Sequence, residues 1–183
     1  MKTVPQRRMA SGFTLVELLT VIAIIMILAG LTVGGLSFYN RKVAEDKTRL
    51  QLKLLASGLE AYFADNGEYP LTTNAEGKGQ TDELYKALFY DTDNDGNSYQ
   101  DDEDQEIYLS DLDPASNSQG WITGTGVNVK LIDGFGNEYR YRRLTNPTQM
   151  RNPDFDLWSI GADGHTNATT VEDPKNKDDI WEQ

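Results

Sequence analysis

From Leu18 to Asn40 the chain runs for twenty-three residues without a charge, LLTVIAIIMILAGLTVGGLSFYN. As a helix this run reaches about 34 Å at about 1.5 Å per residue, enough to cross a hydrocarbon core of about 30 Å. Before it stand Lys2, Arg7 and Arg8, with no acid until Glu17. Lys and Arg stay on the cytoplasmic side, so everything after Asn40 is expected across the membrane. Two plain readings are a secretory signal peptide and an inert anchor. Against the first, the apolar run passes into a helical pattern instead of ending in a small-x-small cleavage triplet. Against the second stands Glu17, because a carboxylate in lipid is costly without a counter-charge and an inert anchor has no reason to carry one.

Composition narrows the field. The chain has 183 residues, 29 Asp plus Glu against 17 Lys plus Arg, one His and no Cys, for a net charge of −12. Without the first twelve residues 14 bases would face 29 acids, or −15. No cysteine means no disulfide, no thiolate nucleophile and no sulfur-based metal site. An acidic chain also repels nucleic acid and anionic lipid. No phosphate loop or metal-hydrolase motif appears, and the lone His165, beside Gly164, reads as a surface-loop residue, so the chain is expected not to be an enzyme.

Past Asn40 the pattern turns amphipathic. Leu52, Leu55, Leu59, Tyr62 and Phe63 recur at helical spacing, so one stripe can pack on a globular head. Asn66-Gly67 supplies a left-handed stop and Pro70 prevents continuation. One helix from about Phe13 to about Asp65 follows, near 80 Å long at about 1.5 Å per residue. Gly30, Gly34 and Gly35 interrupt it, serving either local loosening or close helix packing. A short second helix is marked by Thr81 as N-cap, then Asp82, Glu83, Leu84, Tyr85, Leu88 and Phe89.

Residues 91–106 hold eight acids and no base. Asp91, Asp93, Asp95 and Gly96 match positions one, three, five and six of a calcium loop, with Asn97 at seven and Asp102 at twelve. The pattern departs from an EF-hand in having Asp at twelve, and Ile107–Leu109 reads as strand instead of an exiting helix. A calcium loop and a merely solvated acidic loop both remain open. Further on, Val127, Val129 and Leu131 alternate with Asn128 and Lys130, Asp133–Asn137 is rich in turn formers, and Tyr139 and Tyr141 resume the alternation, predicting a hairpin. Phe155–Ser159 makes a third run. The fold class is therefore α+β: a long N-terminal helix, half transmembrane and half amphipathic, packed on a small antiparallel sheet with calcium-binding loops.

Gly12-Phe13-Thr14-Leu15-Val16-Glu17, after a basic leader, resembles the cleavage and methylation motif of type IV pilins and type II secretion pseudopilins. Leu131–Tyr139 resembles the Asp-Pro-Trp-Gly-Asn-Pro-Tyr segment of the major, G-type, pseudopilin, with Gly134 and Phe135 replacing Pro and Trp. Phe155–Gly164 resembles that family's Asp-x-x-Ser-x-Gly-x-Asp-Gly, and Asp178-Asp179-Ile180-Trp181 its terminal Asp-Asp-Ile…Trp. The resemblance implies a cleaved leader (1–12), a transmembrane polymerisation helix (13–40) and a periplasmic head (41–183). It implies cutting between Gly12 and Phe13 by prepilin peptidase, N-methylation of Phe13, and an assembly role for Glu17 opposite the new amine of a neighbour.

It also implies one Ca²⁺ held by the side chains of Asp163 and Asp178, with Asp179 as neighbour or further ligand, and by the carbonyls of Ile160 and His165. The stretch HTNATTVEDPKNK is longer than the family's, which keeps Glu172 and Asp173 open as ligands. Implied partners are further copies of the chain, minor pseudopilins, the peptidase and the inner-membrane assembly platform. The alternatives are a type IV pilus pilin for adhesion, motility or DNA uptake, and a monomeric membrane-anchored calcium-binding module.

Overall fold

The structure, a computed structural model, describes residues 12–89, 106–124, 128–146, 150–170 and 172–182. Helix α1, Leu15–Asn66, opens on a capping box. The Thr14 hydroxyl accepts the Glu17 N–H at 3.2 Å, and the Glu17 carboxylate accepts the Thr14 N–H at 2.9 Å. The chain divides into two compact units, Met1–Asn40 and Arg41–Gln183.

In the first unit every described side chain between 15 and 40 is exposed, Leu31 at 70% and Phe38 at 76%. Thr20 folds its hydroxyl back onto the Val16 carbonyl at 2.7 Å, and Thr32 does the same with Leu28, so neither presents an unpaired hydroxyl. Among the described residues α1 is the one helix long and apolar enough to cross a membrane.

The second unit is the head. Leu52, Leu55 and Leu59 are buried in its core with Leu84, Leu88, Trp121, Leu131, Tyr139, Tyr141 and Leu157. Tyr62 is partly buried against that core, and Phe63, 40% exposed, stacks on Tyr69 at 4.6 Å. The stop is as the sequence predicts: Gly67 adopts φ +75° and its N–H bonds to the Phe63 carbonyl at 2.8 Å. Two polar side chains of α1 are buried for a reason. Thr48 Oγ1 accepts the Gly134 N–H at 2.9 Å, and Gln51 accepts the Tyr139 hydroxyl at 2.8 Å. Only glycine fits at 134, since a Cβ there would lie 2.3 Å from the Ala44 carbonyl oxygen.

Helix α2 spans Thr81–Leu88 and buries Leu84, Tyr85 and Leu88. Thr81 is its first residue instead of its cap: Gln80 holds that position, and the Thr81 hydroxyl donates to Glu138 at 2.8 Å. Strands β1, Ile122–Thr123, and β2, Lys130–Leu131, form one antiparallel pair. Strands β3, Arg140–Arg142, β4, Asp156–Ser159, and β5, Ile180–Trp181, form an antiparallel sheet in that order. The hairpin predicted across Asp133–Asn137 is reduced to one bridge, Ile132 to Glu138, because β3 takes β4 as its ladder partner. The start of that hairpin, Val127, lies outside the described residues. Ile107–Leu109 is not a strand. The N–H groups of Tyr108 and Leu109 both donate to the Leu88 carbonyl, at 3.0 and 3.1 Å, and a 3₁₀ turn follows at Ser110–Leu112.

One buried ion pair joins β3 to β4. Arg142 Nε donates to Asp156 at 2.7 Å, and its Nη1 donates to the carbonyls of Ala75 and Ala168 at 2.8 and 3.0 Å. Asp156 also accepts the N–H groups of Arg151 and Asn152, both at 2.8 Å. Every lone-pair direction of this buried carboxylate is thus used, which is the condition for a buried pair to be tolerated.

Candidate functional site

The candidate site is the loop after β4 and the segment entering β5. Ser159 closes β4 and donates its hydroxyl to Asp133 at 2.5 Å, while accepting the Gly161 N–H at 3.1 Å. Asn137 Nδ2 donates to the Gly161 carbonyl at 2.8 Å, so the 133–137 turn holds the loop from two sides. Gly161 takes φ +67°, and a Cβ there would lie 2.3 Å from the Asp178 carbonyl oxygen. Glycine is therefore what lets the two segments meet.

Asp178 Oδ2 accepts the N–H groups of Ala162 and Asp163, at 2.8 and 3.0 Å, and faces Arg41 at 3.8 Å. Asp163 Oδ1 accepts the His165 N–H at 2.8 Å. Asp179 Oδ2 accepts the Thr166 hydroxyl at 2.7 Å, whereas its Oδ1 is buried with no hydrogen-bond partner. Burial pushes the Asp179 carboxyl up to about 6; the Thr166 hydrogen bond opposes the rise, and the charges of Asp178 and Asp163 add to it. A buried carboxylate oxygen without a donor, next to two more carboxylates, is the local chemistry that a hard cation relieves.

Of the residues the resemblance points to, Ile160 directly follows β4, Asp163 and His165 lie on the loop, Asp178 and Asp179 precede β5, and the Asp163 N–H bonds to Asp178. Among the described residues, no three Asp, Glu or His side chains converge tightly enough to form a ready metal cluster. Asp173 is otherwise engaged: its carboxylate accepts the Lys175 N–H at 3.0 Å and the Asn167 side-chain amide at 2.8 Å, capping the 3₁₀ turn Pro174–Asn176. Glu172 is exposed. Asp91, Asp93, Asp95, Asn97 and Asp102 lie outside the described residues.

At the other end, the structure brings Glu17 to Thr14, and Phe13 is 81% exposed. Sequence reasoning missed Thr14, although Thr-x-x-Glu before an apolar run is a capping-box signal. It also passed over Asn137, Thr166 and Arg41, whose roles arise only when distant segments meet.

Comparison with known proteins identifies the chain in two stages. Residues 7–33 match the prokaryotic N-terminal methylation motif, which defines the class. Residues 76–177 match the model described as type II secretion system (T2SS), protein G. The chain is 30% identical over 161 residues to the type II secretion system core protein G of Pseudomonas aeruginosa, covering 87% of this chain and 88% of that protein. It is 40% identical over 67 residues to the protein of the same name from Aeromonas hydrophila, covering 37% of this chain and 47% of that one. Over 61 residues it is 39% identical to the Escherichia coli K12 protein, covering 33% and 42%. No solved structure matches. The chain belongs to the type II secretion system protein G family.

Proposed function

We propose that the chain is a structural subunit of a type II secretion pseudopilus, cut and N-methylated at Phe13 and polymerised through its apolar helix to drive protein export. The carrying observation is the pairing of the methylation motif over residues 7–33 with the protein G match over 76–177. The exposed apolar side chains described between 15 and 40 support a single-pass anchor in the bacterial inner membrane, and the leader's Lys2, Arg7 and Arg8 support a periplasmic head. On this reading both capping-box residues, Thr14 and Glu17, remain in the processed chain. Cutting before Phe13 creates an ammonium one helical turn from Glu17, and a neighbour's amine then competes with Thr14 for that carboxylate. Prepilin peptidase, minor pseudopilins and the assembly platform are the partners this role requires.

The head's ion is proposed to be calcium. Asp163, Asp178 and Asp179 with the carbonyls of Ile160 and His165 make an oxygen-only set, and the unpartnered Asp179 Oδ1 supports it. Bound there, calcium would neutralise the mutual repulsion of the carboxylates. Gly161 and Asp178 hold the two segments in register for it.

Mass spectrometry of the mature amino terminus tests the assignment. N-methylated phenylalanine at position 13 is the expected first residue; a retained leader on membrane-extracted protein would rule the reading out.

A further inference from the structure

Thr166, whose hydroxyl holds Asp179, also lines a cavity of about 380 Å³. Arg140 of β3, Lys78 from the turn before α2, Lys175 from the 3₁₀ turn, and His165 are in its wall. Glu76 is the one acid lining it among the described residues. Elsewhere in the head Lys42, Arg49, Lys86, Lys130 and Arg142 each face a carboxylate, while Lys47, Lys53, Arg143, Arg151 and Lys177 have none within ion-pair distance among the described residues. The cavity differs in gathering three such cations at one opening. Among the described residues no carboxylate lies within ion-pair distance of Lys78, Arg140 or Lys175. Arg140 is half-buried and makes one long hydrogen bond, from Nη1 to the Glu138 carbonyl at 3.4 Å. Glu138, Glu76, Asp133 and Asp179 act on it only at longer range.

Three cations from three separate segments around one opening outnumber the one acid there, Glu76, and leave an excess positive charge that a further anion would offset. What sets them apart from the other unpaired head cations is that they share one opening and that Arg140 is half-buried, in a chain with 29 acids and 17 bases. A guanidinium with most of its five donors free offers the planar fork that a carboxylate fits.

We propose that this cavity is an oxyanion site for a carboxylate, supplied by an Asp or Glu side chain of a second copy of this chain. The proposal rests on the filament reading above. Two copies, each at −12 with the leader and −15 without it, repel one another, so a lateral contact needs a cationic receptor on one facing acids on the other. A contact between two different patches is heterologous, the kind that propagates into an open helical assembly.

The test uses full-length chain in detergent, isotopically labelled and unlabelled in equal parts, assembled and then treated with a carbodiimide. This reagent joins a carboxylate to an amine in contact with it. The expected product is a peptide linking Lys78 or Lys175 to an Asp or Glu of the other isotope. Arg140→Gln should lower its yield about tenfold, the effect of losing one charge-assisted pair. Should that variant unfold, Lys78→Glu on an exposed side chain gives the second reading, and the Lys175 link must fall with it. Filaments without a mixed-isotope link at either lysine, or with links only inside one copy, overturn the site and leave the filament reading standing. A chain that stays monomeric in all conditions overturns both. Succinate that shields Lys78 and Lys175 from acetylation, with no mixed-isotope link, would assign the cavity to a free carboxylate and overturn the second-copy source.

Discussion

Asp133 organises more of the head than its place in a turn implies. Its Oδ1 accepts the N–H groups of Phe135 and Asn137, at 2.9 and 2.8 Å, while Oδ2 takes the Ser159 hydroxyl and so reaches the loop that carries Asp163. Asp133→Ala strands two amides and a hydroxyl in a buried place and should cost about 2–4 kcal/mol in urea unfolding. Asp133→Asn keeps an acceptor for both amides and offers an N–H to Ser159, so its effect should stay within about 1 kcal/mol. The two chains should part company with pH. Burial raises the Asp133 carboxyl above its ordinary 3.8. The folded chain then holds a proton that the unfolded chain has released, so the fold loses stability as pH rises through the window opening at 3.8. The asparagine variant lacks this loss, and its stability relative to the natural chain should grow across that window and then level off. A difference independent of pH would contradict the burial of this charge. Gly161→Ala is the harsher change, because φ +67° and the Asp178 backbone leave no room. A loss of about 2 kcal/mol or more is expected, read by the same unfolding curves.

Among the elements, β3 and β4 are joined by more than their ladder. Asp156→Ala leaves Arg142 charged and buried without its partner, which should cost about 3–5 kcal/mol in the unfolding midpoint of the head. Tryptophan fluorescence reports it directly, since Trp158 is fully buried beside Arg142 and stacks on Trp181 at 4.5 Å. A loss below about 1 kcal/mol would mean that the pair adds little to the sheet. What could be read in advance divides along the same line. Helix α1, its stop at Asn66-Gly67 and its buried stripe are local periodic features, visible in any window of the sequence. The order β3–β4–β5 is not, because strands of two to four residues carry no periodicity and Trp158 pairs with Trp181 across a long loop. The candidate residues Asp163, Asp178 and Asp179 are named from their motifs. The supports around them are not: Thr166 and Asn137 read as ordinary polar loop residues until the fold brings them to a carboxylate and a carbonyl.

At the scale of the whole molecule, an acidic head without disulfides closes its C-terminal segment on carboxylates that repel each other. Calcium in excess should therefore stabilise the full chain by about 2.7 kcal/mol at a hundredfold excess over the dissociation constant, read as a higher thermal midpoint, and chelator should reverse the gain. No shift between the two conditions would dispose of the proposed ion. The carboxylates are not the only fastening. Arg142 ties the loops at Ala75 and Ala168 to the sheet through their carbonyl oxygens. A carbonyl belongs to every residue type, so this clamp is blind to the side chains at those two positions. Across lineages, residues 75 and 168 are then free to drift, while 142 and 156 must change together or not at all, which lets the outer loops diversify over an unchanged frame.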